Sequence, residues 1–298
     1  MSNLAISKNL MRSWLFVPGN HPRKVKKVFE LGADVVILDL EDAVAISEKV
    51  DTRVAVLTAL ENKSDCLGYV RINALDTPFA FRDLDAVAYS ILDGVVVPKV
   101  ECASDLKQVD WVLSNLESER GITAGSIDIV PIIETAKGLD AIDEIAGAGT
   151  RVKRLSFGGG DFTRDMGIKW SGAEAELAHA RSRFVLASRV AGLEQPIDTV
   201  FIDLVDNKHF DLSVETAVTF GFQGKLCIHP NQVSKVNAGF SPSGQEIKRA
   251  RDIIKAFEEA ETNGSASIQV NGYFVDYPIV EKARRVLSMD ALIKSKNA

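Results

Sequence analysis

Cysteine is scarce in this sequence of 298 residues. The three cysteines, Cys66, Cys102 and Cys227, lie far apart and form no CxxC pair. Zinc knuckles and disulfide frameworks both need closely spaced or paired cysteines. The cysteine content therefore predicts neither kind of site and favours a reducing compartment.

Long apolar runs and a surplus of positive charge are missing as well. No uninterrupted apolar stretch approaches the roughly 18 residues that cross a bilayer, and the opening segment MSNLAISKNLMRSW lacks the apolar core of a signal peptide. We therefore expect a cytoplasmic protein with no membrane partner. The formal net charge of −6 argues against a protein whose main task is to bind nucleic acid.

Several catalytic motifs are absent too. The sequence contains no GxSxG, HExxH or Cys/His pair, so nothing in it predicts serine, zinc or thiol chemistry. It also has no GxxxxGK[ST] and no complete GxGxxG, so the three glycines at 158–160 are a weak signal for a phosphate loop. A close backbone approach to a ligand or to Asp161 explains them better.

What the chain does have is a repeated pattern: a short β-branched run, a polar or glycine-rich junction, and then a helical stretch. Runs such as VVILDL and GVVVP are apolar throughout, which is typical of strands covered on both faces. Eight such units in about 230 residues predict an α/β fold, a (β/α)₈ TIM barrel, with a doubly wound open sheet as the alternative. The predicted strands span residues 13–17, 35–40, 69–72, 94–97, 127–133, 154–157, 199–202 and 225–228.

The pattern changes after the eighth strand. FSPSGQEIKRARDIIKAFEEAETNG predicts an amphipathic helix that ends at an Asn-Gly C-cap. SIQVNGYFVDYP predicts a hairpin about Asn271-Gly272, before a last helix. We therefore expect a catalytic barrel domain over residues 11–240, followed by a C-terminal helical and hairpin arm over residues 241–298 that serves as a lid or an oligomer contact.

Polar side chains follow the predicted strands, at the ends that meet at the mouth of a barrel. Glu134 and Asp161 each follow an apolar strand, and neither has a cation four residues further along a helix. Two carboxylates from neighbouring strands, with waters and substrate oxygens completing an octahedron, suit Mg²⁺. The alternative is that each carboxylate forms a structural ion pair with Lys99 or Arg71.

Arg71 lies in YVRIN, an otherwise apolar run. A guanidinium at a barrel mouth suits a carboxylate or an enolate oxygen, since its fork binds two oxygens at once. A salt bridge to Asp39 or Glu41 without a substrate role is the alternative. We interpret Asp39 and Glu41 as groups that hold metal-bound waters and Arg71, rather than as direct metal ligands.

A basic cluster follows the first predicted strand, at the start of a predicted helix; its members are Arg23, Lys24, Lys26 and Lys27. Helix-start N–H groups together with nearby cations would suit a diphosphate. A solvated helix face is the usual place for such a cluster, so both interpretations stay open. Of the four histidines, only His229 follows a predicted strand near this region.

Taken in order, nine junctions of the chain resemble the citrate lyase β-subunit-like family, which includes malyl-CoA and citramalyl-CoA lyases. Single pieces are modest, but nine in the family's order are specific, and GFQGKLCIHPNQ and FSPS resemble most the stand-alone citramalyl-CoA lyases. The pieces run from Arg12 to Pro278 and are RSWLFVPGN, VVILDLEDAV, YVRIN, GVVVPKVE, PIIETAKGL, SFGGGDF, FQGKLCIHPNQ, FSPS and GYFVDYP.

The resemblance implies a TIM-barrel, Mg²⁺-dependent carbon–carbon lyase that performs a retro-Claisen cleavage of a 3-hydroxyacyl-CoA. It implies that Glu134 and Asp161 are the Mg²⁺ ligands, and that Arg71 is a catalytic contact of the substrate's carbonyl and carboxylate. Phe16 stands where some members have tyrosine, and Arg23 where lysine is common. The positions that would hold the CoA moiety are Phe16, Arg23, Lys27, Ile228 and His229.

The resemblance also assigns a role to Asp276 of YFVDYP, which matches the family's catalytic aspartate. In the family this aspartate is presented by the C-terminal arm of a neighbouring subunit. The resemblance therefore implies a homo-oligomer, a trimer or a hexamer, with a shared active site. From the residues alone, Asp276 is better explained as a hairpin-end residue that caps the last helix.

Three other functions stay open at this point: a β subunit of a citrate lyase complex that cleaves a citryl thioester on a carrier protein, a class II aldolase on the same barrel, and a catalytically silent CoA- or keto-acid-binding protein. The aldolase would need neither a basic CoA clamp nor Asp276. The presence of Arg71, Glu134, Asp161 and Asp276 together argues against the silent protein, since loss of any one would suffice for silence. Malyl-CoA, methylmalyl-CoA and citramalyl-CoA differ by single methyl groups, each worth only about 1–3 kcal/mol of discrimination, so the acyl group stays open.

Overall fold

The computed structural model describes residues 10–64 and 66–296. Within these ranges, eight parallel strands close into a barrel in sequence order, and the first strand pairs with the eighth. The strands are Ser13–Pro18 (β1), Val35–Asp39 (β2), Leu67–Arg71 (β3), Gly94–Val97 (β4), Asp128–Ile133 (β5), Ser156–Phe157 (β6), Ile197–Asp198 (β7) and Gly224–Cys227 (β8). The predicted (β/α)₈ barrel is therefore confirmed, and the open doubly wound sheet is excluded.

Helices follow the strands around the barrel. Two short 3₁₀ helices, Ile46–Glu48 and Ala175–Leu177, precede longer helices. In the described ranges no helix is both long enough and apolar enough to cross a membrane. The α-helices up to the end of the barrel are Pro22–Val28 (α1), Lys49–Glu61 (α2), Ala80–Val87 (α3), Ala103–Glu119 (α4), Ala136–Asp140 (α5), Ile142–Ala146 (α6), Gly159–Asp165 (α7), Ala178–Val190 (α8), Asn207–Phe220 (α9) and Pro230–Gly239 (α10).

The inside of the barrel is a packed core. Trp14 and Tyr69 are fully buried there and meet edge to face, with ring centroids 5.0 Å apart. The Tyr69 hydroxyl donates a hydrogen bond of 2.9 Å to Asp128, so the polar end of this ring is satisfied. Since β2, β4 and β5 are buried along their whole length, their continuous apolar runs are what strands covered on both faces require.

The seventh predicted strand, residues 199–202, is wrong. The strand is Ile197–Asp198, and Asp198 pairs with Lys225 of β8. Ile202 is 59% exposed, because the chain has already left the barrel before α9. In the sequence, Asp198 looks like a residue of a solvated loop, so the prediction placed the strand after it instead of on it. The other predicted strands agree with the structure to within about two residues.

Asp198 belongs to a buried charge cluster, which consists of Glu174, Arg181, Asp198 and Lys225. Arg181 donates to Asp198 at 2.9 Å through Nε and to Glu174 at 2.6 Å through Nη2. The Lys225 ammonium donates to the second oxygen of Asp198 at 2.7 Å. All four side chains are almost wholly inaccessible. The cluster ties α8 to the backs of β7 and β8 with two charges of each sign.

The chain divides into two compact units, and the second one consists of Leu10 and the described residues from Ala238 onward. It contains helices Gly244–Thr262 (α11) and Tyr277–Lys296 (α12), and the hairpin strands Ile268–Val270 (β9) and Tyr273–Val275 (β10). Ser243 caps α11 by accepting from the Glu246 backbone N–H, and Glu246 returns the bond in a capping box. The predicted hairpin turn lies at Asn271 and Gly272, both with positive φ, as a type I′ turn needs.

Candidate active site

The carboxyl ends of the barrel strands surround a cavity of about 330 Å³, called the mouth cavity below. Side chains from non-adjacent parts of the sequence meet there, because parallel strands all end at the same rim. Most of the residues predicted for the site are among those that line it: Phe16, Asp39, Arg71, Glu134, Asp161 and Ile228.

Glu134 and Asp161 form a pair of carboxylates at this rim. Glu134 follows β5 and is 3% exposed, whereas Asp161 lies in the first turn of α7 and keeps about a fifth of its side chain accessible. Burial raises the pKa of Glu134 to about 8, and the negative charges of Asp161 and Glu41 act in the same direction. A divalent cation would relieve this repulsion, so the donor set fits Mg²⁺.

The two carboxylates would leave most of an octahedron open. Among the described residues no group of three or more His, Cys, Asp and Glu side chains could hold a metal ion. A cation bound by Glu134 and Asp161 would therefore take its remaining oxygens from water or substrate, the arrangement that the sequence predicts.

Asp161 does have a cation partner on its own helix. Arg164 follows Asp161 by three residues on α7, and its Nη2 lies 2.9 Å from Asp161 Oδ1. The prediction considered only a cation four residues further along and so missed this one. Arg164 is 76% exposed in its side chain, and ion pairs this exposed contribute about 0–1 kcal/mol. The pair therefore leaves Asp161 available to a metal.

The glycine run at the β6–α7 junction serves close packing of side chains. A Cβ on Gly158 would lie 2.5 Å from Glu134 Oε2, and one on Gly159 would lie 2.8 Å from Thr199 Oγ1. The residue approached at Gly158 is thus Glu134, and the expected approach to a ligand or to Asp161 stays a prediction. Gly158 leaves the space in which the Glu134 carboxylate lies.

Arg71 is held by the carboxylates that follow β2. Its Nε and Nη2 donate to the two oxygens of Asp39 at 2.8 and 2.6 Å, and its Nη1 lies 2.9 Å from Glu41 Oε2. Its guanidinium also lies 4.9 Å from the centroid of the Phe16 ring. The salt bridge considered from the sequence is present, and the same guanidinium lines the mouth cavity. Asp39 and Glu41 therefore fix its orientation toward that cavity.

Lys99 contacts two of these carboxylates at once, which the sequence does not reveal. Its backbone N–H donates to Glu134 Oε1 at 2.9 Å, and its ammonium donates to Glu41 Oε1 at 2.5 Å. Its φ is +52°, in the left-handed region that lysine rarely adopts. The run VVVPKVE places a lysine after a strand, but neither its φ nor its partners can be read from neighbouring residues.

A second cavity, of about 620 Å³, adjoins the mouth cavity and is called the basic groove below. The two share Phe16, Pro18 and Ile228. The predicted cations are exposed on α1, and the same side chains line the groove. The solvated helix face and the position beside a possible phosphate site are therefore both present. The groove is lined by Arg23, Lys24, Lys26, Lys27 and His229 among others.

The loop that carries Ile228 and His229 is held by a buried amide. Gln232 Oε1 accepts from the backbone N–H of Ile228 at 2.9 Å and of His229 at 3.3 Å. Its Nε2 donates to the Phe201 carbonyl at 2.9 Å. Both ends of the amide are thus satisfied, and the rim shared by the two cavities is fixed by one side chain.

Asp276 belongs to the second unit, where it joins β10 to α12. Its carbonyl accepts from the backbone N–H groups of Ile279 and Val280 at 3.1 and 3.0 Å, and its Oδ1 lies 3.4 Å from the Ile279 nitrogen. This is the helix-capping position expected from the residues alone. The side chain is only partly buried, so its carboxylate remains accessible.

Comparison with known proteins extends the likeness over almost the whole chain. The HpcH/HpaI aldolase/citrate lyase family model matches residues 12–230. A citrate lyase subunit beta from Leuconostoc mesenteroides subsp. cremoris is 37% identical over 95% of this chain and 94% of its own. An L-malyl-CoA/beta-methylmalyl-CoA lyase from Cereibacter sphaeroides is 33% identical over 95% of this chain and 96% of its own.

Solved structures of similar proteins have the same fold. The crystal structure of protein CitE from Mycobacterium tuberculosis, in complex with magnesium, acetoacetate and coenzyme A, superposes with a TM-score of 0.76 at 29% identity, over 94% of this chain and 98% of its own. RipC from Yersinia pestis superposes with a TM-score of 0.67 at 33% identity, over 80% of this chain and 98% of its own. The resemblance found in the sequence is confirmed, and so is the predicted class of enzyme. The chain belongs to the HpcH/HpaI aldolase/citrate lyase family and is a carbon–carbon lyase.

Proposed function

We propose that the chain is a Mg²⁺-dependent lyase that cleaves a 3-hydroxyacyl-CoA, such as (S)-citramalyl-CoA or malyl-CoA, into acetyl-CoA and pyruvate or glyoxylate. One observation carries the proposal: the Glu134–Asp161 pair and Arg71 line one cavity, and that cavity continues into a groove lined by four cations. The mouth cavity would suit the small, carboxylate-bearing end of such a substrate, and the basic groove would suit its phosphate-bearing CoA arm.

Glu134 and Asp161 are the residues that would hold Mg²⁺ in this proposal. When bound there, the metal would supply Lewis acidity to the oxygen that becomes the keto group. CitE from Mycobacterium tuberculosis has been solved with magnesium and pyruvate, and a citrate lyase beta subunit from the same organism with oxaloacetate and magnesium, which supports a keto acid as the small product. Arg71 would bind the carboxylate of that keto-acid end, since Asp39 already orients its guanidinium.

The CoA arm would lie in the basic groove. Arg23 and Lys27 would bind its phosphates, and Phe16, Ile228 and His229 would contact its pantetheine and thioester end. The CitE complex that contains coenzyme A supports this choice of ligand. Phe16 lacks the hydroxyl of a tyrosine, so it would contribute apolar contact alone.

Cleavage would break the bond between C2 and C3 of the acyl group. The 3-hydroxyl gives its proton to solvent and becomes the keto group, and the electron pair of the C2–C3 bond passes to C2, which takes up one proton to give acetyl-CoA, so the proton count is unchanged. We assign that proton transfer to Asp276, supplied by the C-terminal arm of a neighbouring subunit in a homotrimer or homohexamer. Among the described residues, the Asp276 carboxylate makes only one long capping bond, 3.4 Å from Oδ1 to the Ile279 nitrogen, and it is partly exposed, which supports such a role.

The purified chain given (S)-citramalyl-CoA and (S)-malyl-CoA tests the proposal. We expect release of acetyl-CoA with pyruvate or glyoxylate in Mg²⁺, and loss of that release in EDTA. The ratio of the two kcat/KM values identifies the acyl group. Keto-acid and CoA binding without any cleavage would instead establish the silent binding protein.

A second candidate is the β subunit of a citrate lyase complex. The relative at 37% identity bears that name, and such a subunit would act on a citryl thioester attached to a carrier protein. The same assay separates the two, because a subunit restricted to its carrier should turn over free CoA thioesters poorly and the carrier-bound thioester well.

A further inference from the structure

We propose that Lys99 is a positioning residue of the active site, with its backbone and its side chain fixing different carboxylates. The backbone N–H holds Glu134, and the ammonium holds Glu41, which in turn pairs with Arg71. One residue therefore sets the spacing between the proposed metal ligand and the proposed substrate contact. The role rests on the Mg²⁺ site of the proposed function, but its tests measure binding and do not depend on the proposed reaction.

The backbone of Lys99 is strained. Lys99 is one of three non-glycine residues with positive φ in the described part of the chain, together with Glu174 and Asn271. Asn271 lies in a hairpin turn that favours this conformation, and Glu174 belongs to the buried charge cluster. For a lysine the left-handed conformation costs about 1–2 kcal/mol. Such a residue persists where its surroundings hold it there, and such residues concentrate at functional sites.

The strain redirects one hydrogen bond. β4 ends at Val97, and ladder pairing to β5 resumes at Val100, whose N–H donates to the Ile132 carbonyl at 3.2 Å. Between them, the Lys99 N–H leaves the ladder and donates to the Glu134 carboxylate. The left-handed residue thus turns a strand-end N–H toward a side chain of the neighbouring strand's end.

The Lys99 ammonium acts on Arg71 through Glu41. Glu41 is 4% exposed and accepts from Lys99 through Oε1, while its Oε2 lies beside Arg71. Without Lys99, Glu41 would keep one cation instead of two and could draw the guanidinium away from Asp39. The Lys99 side chain is itself about a third exposed, so this contact can be removed without opening a cavity in the core.

The two parts of the proposal can be separated with a pair of variants. Lys99→Gly and Lys99→Val both remove the ammonium, but glycine adopts positive φ freely whereas a β-branched residue resists it. We expect the glycine variant to keep the wild-type affinity for Mg²⁺ to within about threefold, and the valine variant to lose about tenfold, as metal sites do when a supporting hydrogen bond is lost. Isothermal titration of the substrate-free protein with MgCl₂ measures both. If Lys99→Val fails to fold, Lys99→Ala replaces it, with a smaller loss expected.

The side-chain part is read from binding of pyruvate in saturating Mg²⁺. We expect both variants to bind pyruvate about tenfold more weakly than wild type, which corresponds to about 1.4 kcal/mol. Lys137→Val is the matched control. Lys137 lines a further cavity beside Glu134 together with Lys99, but it pairs with Glu101 and contacts neither Glu41 nor Glu134. This control should leave both affinities unchanged.

The outcomes distinguish the backbone role, the side-chain role and the proposed reaction. Equal Mg²⁺ affinity in Lys99→Gly and Lys99→Val overturns the backbone role, and unchanged pyruvate binding in both overturns the side-chain role. A wild-type protein that binds no Mg²⁺ overturns the proposed function and the Lys99 role together. Wild-type binding of Mg²⁺ without lyase activity contradicts the proposed reaction alone and leaves the positioning role standing.

Discussion

At the residue scale, Glu134 combines burial with a charge that nothing in the described chain fully neutralises. Its pKa is raised to about 8 by burial first and by Asp161 and Glu41 second. In the unfolded chain a glutamate titrates near its ordinary pKa of about 4.3. Between these two values the folded, metal-free protein binds a proton that the unfolded protein does not bind. Stability must therefore fall as the pH rises through this interval.

Glu134→Gln should remove that pH dependence. Without metal, we expect wild type to lose several kcal/mol of unfolding free energy between pH 5 and pH 8, since each pKa unit is worth about 1.4 kcal/mol, and the variant to lose much less. Urea unfolding in EDTA across this range measures the difference. Adding Mg²⁺ should restore wild type alone at pH 8. Parallel pH curves for the two proteins would contradict the assigned burial effect.

Individual site residues were predictable from the sequence where a polar side chain lies at the end of an apolar strand. Arg71, Glu134 and Asp161 each follow an apolar run, so the barrel prediction brought them together. The contacts of Lys99 and Gly158 were not predictable. The φ of Lys99 and the closeness of Gly158 to Glu134 both depend on parts of the chain that are distant in sequence.

At the element scale, the β6–α7 junction supports the proposed metal ligand. A methyl group on Gly158 would occupy the space of the Glu134 carboxylate, whereas one on Gly160 would meet only the Trp170 ring at 3.4 Å. The two glycines therefore form a matched pair in one helical turn.

Gly158→Ala should weaken Mg²⁺ binding by about tenfold or more, because it displaces Glu134. Gly160→Ala should change the affinity by less than about twofold. Calorimetric titration of both variants with Mg²⁺ provides the comparison. Similar affinities in the two variants would show that Glu134 can move aside without cost, and so would argue against a fixed metal site.

The β8–α10 loop depends in a similar way on Gln232. Gln232→Leu keeps the volume but removes the acceptor for the Ile228 and His229 N–H groups. We expect KM for the CoA thioester to rise about tenfold, equivalent to about 1.4 kcal/mol, with a much smaller change in kcat. Gln223→Leu is the control, since Gln223 precedes β8 and donates to the carbonyl of Gln195, just before β7, and neither residue lines the groove. A fall in kcat without a change in KM would contradict the loop's proposed role in holding CoA.

Elements were predictable wherever burial on both faces makes a strand continuously apolar, as in β2 and β4. The prediction failed at β7, where a strand of two residues contains a buried, charge-paired Asp198. Local hydrophobicity cannot distinguish such a residue from a solvated loop, because its partners come from α8 and β8.

At the scale of the whole molecule, the proposed shared site predicts that two inactive variants regain activity when they assemble together. Glu134→Ala and Asp276→Ala should each be inactive as homo-oligomers. Co-expressed with different tags and purified as mixed assemblies, they should recover about a third of wild-type activity as trimers and about a quarter as hexamers, because a site is complete when one subunit keeps Glu134 and its neighbour keeps Asp276.

Separately purified variants that do not exchange subunits serve as the control and should stay inactive when mixed. Mixed assemblies without activity would show that Asp276 acts within its own chain or has only its capping role. A purely monomeric wild-type protein with full activity would also exclude the shared site.

The buried charge cluster limits how the sequence of this barrel can diverge. Removing one member, for example Lys225, leaves a buried charge with too few partners, at a cost of about 3–5 kcal/mol. Domains of this kind have only about 5–15 kcal/mol of stability to lose. Replacing all four with well-packed apolar residues can be neutral, but every stepwise route to that state passes through a weakened protein. The four residues of this cluster and the three ion pairs they form should therefore be conserved together or replaced together among related sequences.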